Sequence, residues 1–225
     1  MRTRVYIDGF NLYYGLKQYE KQGVNYRWLD VAALCHTLLP NDTIDYVRYF
    51  TATVSGRQDP EQPRRQQVYL RALRTIGNLE IHYGRFLASE IWLPLAHPLP
   101  DIPPDIPRNT IDMSRNGFQV ARVTKMEEKG SDVNIATYML LDCFRSEFDQ
   151  VALISNDTDL AEPIRVIRRE CGCRVGVFNP TPRLSATLQR AADFYTQIEQ
   201  HHLQASLFPA TLRDSKGIIT KPARW

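Results

Sequence analysis

Apolar runs that stop at an aspartate and pass at once into a helix constrain this chain more than any other feature. Val151 to Ile154 is a continuous apolar run, the pattern of a strand buried on both faces of a parallel sheet. Pro163 soon afterwards is tolerated only in the first turn of a helix, where its missing N–H has no intrahelical partner anyway. Asp157 and Asp159 are therefore predicted on a strand-to-helix turn, the place where open α/β sheets bind their ligands. The plainest role for such an aspartate is to cap the helix, but two acids in so short a turn exceed what one cap needs. The start of the chain repeats the event. Arg4 to Ile7 reads as a strand ending at Asp8, Gly9 permits a tight turn, and Leu12, Leu16 and Tyr19 give the following helix its apolar stripe.

A further acid follows from helical geometry. Between Ser131 and Glu147 the residues Ile135, Ala136, Met139, Leu140, Cys143 and Phe144 recur at helical spacing and define an apolar face. At about 100° per residue Asp132 projects from that face, where a carboxylate is costly unless it is paired or bound to a metal. The helix is expected to pack on the sheet with Asp132 over its edge, toward Asp8, Asp157 and Asp159. Carboxylates gathered without basic partners repel one another, and a divalent cation relieves them. All-oxygen ligation points to Mg²⁺ or Mn²⁺.

The motifs Tyr6-Ile-Asp-Gly-Phe-Asn11, Lys129-Gly-Ser-Asp-Val-Asn-Ile-Ala136, Ile154-Ser-Asn-Asp-Thr-Asp-Leu160 and Leu188-Gln-Arg-Ala-Ala-Asp-Phe194 resemble those of the NYN-domain family, a bacterial branch of the PIN-like nucleases. The resemblance implies an α/β, Rossmann-like (PIN-like) three-layer sandwich with a central, mainly parallel sheet, and metal-dependent endoribonuclease activity. It makes Asp8, Asp132, Asp157 and Asp159 the catalytic, metal-holding residues, with Asn11, Ser155 and Asn156 beside them against the substrate. A long proline-rich middle departs from the family's pattern.

One domain over residues 1–200 is expected, with an insertion at about 88–117 and a strap over 201–225 packed on the domain. The 43% hydrophobic content supplies a core, and no run reaches a membrane span. The first residues lack a signal-peptide pattern, and Cys35, Cys143, Cys171 and Cys173 make no C-x-x-C pair, so a cytoplasmic protein with reduced core cysteines is expected. The formal charge of +3 is too small to argue for nucleic acid by itself.

A helix is predicted over residues 61–76, with Arg64, Gln67, Arg71 and Arg74 opposite its apolar side. An arginine face is most often only solvated, but Arg64 and Arg71, with Arg57 before them, are candidate RNA contacts. Lys129 is a candidate phosphate contact. Residues 79–87 and 118–126 alternate as strands and are expected to pair antiparallel, with the proline segment as the tip of a long hairpin. That flap would cover substrate or make a homodimer contact. The alternatives to a ribonuclease are an inactive RNA-binding regulator and a nuclease for single-stranded DNA. A haloacid dehalogenase-type phosphatase needs Asp-x-Asp after the first strand, and position 10 is Phe.

Overall fold

The first strand, β1 (Arg2–Asp8), shows how the molecule is layered, because its side chains alternate between two cores. Val5 and Ile7 point into one core and Tyr6 into the other; along β6 (Gln150–Ile154) Ala152 and Ile154 join the first, Val151 and Leu153 the second. Both strands are buried on both faces, as their unbroken apolar runs require. The first core is closed by α1 (Gly9–Glu20), α2 (Val31–Leu38) and α3 (Gln62–Leu73). The second is closed by α4 (Ser131–Phe144), α5 (Ala161–Val166) and α6 (Ala186–Ala191).

The computed structural model describes every residue except 57–58, 98, 100–106, 108–109, 113–118, 146–147 and 224. Two compact units divide the chain, residues 1–84 with 130–225 and residues 85–129. In the first, parallel strands run in the order β3-β2-β1-β6-β7-β8, with β2 at Thr43–Ala52, the opening residues of β3 (Leu79–Pro94), β7 at Arg174–Asn179 and β8 at Phe194–Gln197. This is a mixed α/β fold built on a mostly parallel sheet flanked by helices. Among the described residues no helix is long and apolar enough to cross a membrane.

In the second unit, Arg85–Pro94 of β3 pairs antiparallel with β5 (Val120–Lys129), and β4 (Ile111–Asp112) adds to β5. The antiparallel pairing is present, but its bounds differ from the sequence expectation. Leu79–Gly84 pairs parallel with β2 instead, and the antiparallel strand runs on to Pro94, inside the stretch expected as the insertion. The strand expected to end at residue 126 runs on through Glu127–Lys129, because that backbone is taken up by Arg85–Leu87. Arg57, Phe118, Ile102, Ile106 and Pro98, Pro100, Pro103 and Pro104 lie outside the described residues.

One other expectation needs correction. Phe144 is 63% exposed, since it stands about half a turn around the helix from Ile135. The position it was assigned on the buried face belongs to Asp142, which is 1% exposed and is drawn in by Tyr6 and Arg48 at 2.7 and 2.8 Å and by Arg4 at 3.4 Å. The residues after 206 are an integral part of the first unit. Their β9 (Thr211–Asp214) and β10 (Gly217–Thr220) form a hairpin, and Trp225 joins the first core, donating to the Arg27 carbonyl at 2.8 Å.

Candidate active site

Parallel pairing puts the carboxyl ends of β1 and β6 side by side, with Ile7 opposite Ile154. The next residue on each strand is polar, because the chain must leave the sheet and turn into a helix. On β1 it is Asp8, which caps α1 by accepting from the Asn11 N–H at 2.9 Å. On β6 it is Ser155, whose hydroxyl donates to the other oxygen of Asp8 at 3.0 Å and accepts from the Asp157 N–H at 3.1 Å. One buried serine thus holds both acidic turns in register. Gly9 is required by close approach, since a Cβ there would lie 2.6 Å from the Phe50 carbonyl and 2.8 Å from the Tyr49 ring.

The acids are unequal. Asp8 is only 5% exposed, and burial pushes its carboxyl up to about 6 against the hydrogen bonds from Asn11 and Ser155, with Asp132 and Asp157 adding repulsion. Asp132, half-buried in the first turn of α4, is therefore electrostatically part of the same cluster. Asp157 is also half-buried, and caps the short turn Thr158–Leu160 by accepting from the Asp159 N–H at 3.0 Å. Asp159 is exposed, and its place in that turn is the most peripheral of the four.

Among the described residues no three His, Cys, Asp or Glu side chains form a group poised to hold a metal ion. The donors are nonetheless hard oxygens suited to Mg²⁺ or Mn²⁺, and each engaged oxygen of Asp8 keeps further lone-pair capacity. Burial is the main cause of the raised Asp8 carboxyl, and the repulsion from Asp132 and Asp157 that adds to it is of the kind a cation removes.

The residues expected against substrate have diverse surroundings. Ser155 is fully buried and engaged by Asp8. The Asn11 side chain accepts from the Asn156 N–H at 3.1 Å, joining the two turns again. The Asn156 amide donates to Thr181 at 3.0 Å and to the Arg183 carbonyl at 2.8 Å, and accepts from the Tyr195 hydroxyl at 3.0 Å. These three residues hold the site together from within. Lys129 lies in the second unit, 3.4 Å from Glu127. Arg64 is open to solvent, with Glu61 at 3.6 Å, whereas Arg71 makes a two-pronged pair with Asp214 at 2.7 and 2.6 Å.

Sequence reasoning missed Asp142 and its buried partners. The arginines on β1 and β2, in strands otherwise apolar, and an acid one turn beyond Met139 were the available signals. Burial alone would raise Asp142, but hydrogen bonds from Arg48 and Tyr6 and the charges of Arg48 and Arg4 hold it below the usual carboxylate range. Arg48 also reaches Glu80, and its guanidinium lies 4.6 Å from the Tyr138 ring centre.

Comparison with known proteins agrees with the motif resemblance. The NYN domain family model matches residues 100–199, a span that contains Asp132, Asp157 and Asp159 and begins after Asp8. The chain is 28% identical over its whole length to 6-hydroxy-3-succinoylpyridine 3-monooxygenase HspA of Pseudomonas putida (strain DSM 28022 / S16), covering 75% of that protein. A protein of unknown function from Vibrio parahaemolyticus RIMD 2210633 has a similar fold, with a TM-score of 0.51 at 17% identity, over 92% of this chain and 96% of that one.

Proposed function

With the NYN domain matched over residues 100–199, we propose that this protein is a metal-dependent endoribonuclease. What supports the reading is that Ser155 joins Asp8 to the Asp157 turn at the carboxyl edge of the sheet, and that the charges of Asp132 and Asp157 both add to the raising of Asp8. In this reading Asp8, Asp132 and Asp157 hold Mg²⁺ or Mn²⁺, with Asp159 at the outer rim. The bound cation supplies an activated water and charge neutralisation at the phosphodiester. Ser155 and Asn11 keep the two acidic turns at a fixed separation, so that little reorganisation is needed when substrate arrives. An inactive RNA-binding regulator is disfavoured because all four acids are retained, and single-stranded DNA remains the competing substrate.

A second reading has its own observation, the whole-length similarity to a monooxygenase for a hydroxypyridine. The site offers that chemistry less. The sequence has no G-x-G-x-x-G turn for a dinucleotide, and no histidine stands in the turns after β1 or β6 to complete a two-histidine, one-carboxylate set. The deciding experiment incubates the protein with RNA and single-stranded DNA, each with Mn²⁺ and with chelator, beside Asp157→Asn. A parallel arm supplies a hydroxypyridine, oxygen and a reduced nicotinamide. Cleavage of RNA that needs Mn²⁺ and Asp157 is expected; hydroxylation without cleavage reverses the assignment.

A further inference from the structure

The segment between β7 and α6, Thr181 to Ser185, is fastened by the side chains of Asn156, Asn179, Tyr195 and Gln197. Its Arg183 carbonyl accepts from Asn156 at 2.8 Å and from Asn179 at 3.0 Å. The Ser185 N–H donates at 3.0 Å to the Tyr195 hydroxyl, which donates in turn at 3.0 Å to Asn156. Gln197 donates to the Thr181 carbonyl at 2.8 Å. Just before the segment, α1 comes so near that a Cβ on Gly15 would lie 2.2 Å from the Pro180 carbonyl. Both flanks of the loop are therefore tied to Asn156, the neighbour of Asp157, and through its N–H to Asn11.

What this fixed loop presents outward is Pro182, Arg183 and Leu184, and Leu184 is 66% exposed. The guanidinium of Arg183, like those of Arg190 and Arg213, has no ion pair or hydrogen bond within the described residues, whereas Arg71, Arg165, Arg168 and Arg169 are paired with carboxylates; of the three, Arg183 is the one on a loop tied to Asn156. A loop that orders its backbone so fully and leaves its one cation free is arranged to offer that cation to an anion.

Resting on the nuclease reading, we propose that Arg183 is a substrate-binding residue that grips a phosphate of single-stranded RNA next to the one being cut. Leu184 packs beside it against the ribose or base. The guanidinium suits this because it can donate two parallel hydrogen bonds to one phosphate. Asn156, Tyr195 and Asn179 are its positioning residues, coupling the grip to the turn that carries Asp157.

The test measures binding of a fluorescein-labelled oligouridylate with Ca²⁺ in place of Mn²⁺ across a salt series, and steady-state cleavage with Mn²⁺. The proteins compared are wild type, Arg183→Gln, Arg183→Lys and, as a surface control, Arg190→Gln. Arg183→Gln is expected to bind about tenfold more weakly at low salt, with a salt slope smaller by about one phosphate contact. Its KM should rise while kcat stays within about twofold, and Arg183→Lys should recover the slope with part of the affinity. If Arg183→Gln matches Arg190→Gln in affinity, slope and KM while wild type cleaves, the grip is rejected and the nuclease reading stands. If wild type neither binds nor cuts the oligonucleotide, the nuclease reading falls and Arg183 falls with it.

Discussion

Asp8 is the residue at which folding and the proposed function pull in opposite directions. A carboxyl raised from 3.8 to about 6 favours the folded state fully below pH 3.8 and loses that contribution as pH rises through 6. At neutral pH the ionised group therefore costs on the order of 2–3 kcal/mol relative to an unperturbed aspartate. Asp8→Asn keeps the shape and removes the charge, so thermal melts at pH 7.5 should show it at least as stable as wild type, with the advantage gone by pH 4. Mn²⁺ should raise the wild-type melting temperature more than that of Asp8→Asn, and RNA cleavage by the variant should collapse. An Asp8→Asn protein that melts well below wild type at pH 7.5 would mean that the carboxylate is there for structure. Asp132→Asn separates the same roles on α4. As a ligand its change should leave metal-free stability level or higher and abolish cleavage. As a dipole partner only, it should cost about 0.3–1 kcal/mol and leave cleavage intact. Asp8 and Asp157 were legible in sequence because each follows an apolar run at a turn, and Asp132 because it falls on an apolar helix face. The inequality of Asp157 and Asp159 was not, because it depends on which carboxyl the short turn uses as its cap.

On the scale of elements, α4 carries two acids with opposite duties. Asp132 at its head faces other carboxylates, while Asp142 near its tail is surrounded by Arg4, Arg48 and Tyr6. Asp142→Asn would leave two largely buried guanidinium groups short of a countercharge, and a loss of about 3–5 kcal/mol is expected in urea unfolding. Since Asp142 is held below its ordinary value, its contribution is present above about pH 4 and is lost as pH falls through the depressed value. Periodicity located α4 but centred its buried arc too far round, toward Phe144, because only apolar residues were counted. Helix α3 shows the same limit from the other side. Its arginine face was legible, but the pairing of Arg71 with Asp214 spans most of the chain and no local pattern announces it. The parallel order of β1 and β6, by contrast, followed from two apolar runs ending in matching turns.

For the whole molecule, the residues after 206, which the sequence suggests as a strap packed on the domain, supply Phe208, Ile219 and Trp225 to the first core. Trp225 lies 5.1 Å from the Tyr69 ring centre, and Trp28 donates to the Pro209 carbonyl at 2.8 Å. A chain ending at Ser206 should bind a hydrophobic dye and lose its cooperative melt, because Trp28 and Tyr69 would face water. A full cooperative transition in the shortened chain would reduce the tail to decoration. The pairing of β1 with β6 has a consequence in time as well as in space. The hydrogen bond between Asp8 and Ser155 closes a separation of 147 residues, so the first strand leaves the ribosome long before its central neighbour exists. Closing so long a loop is slow, and contacts of this range are among the last a chain secures. The acidic cluster is thus a late product of synthesis: a nascent chain carries Asp8 without its partners until most of the protein has emerged.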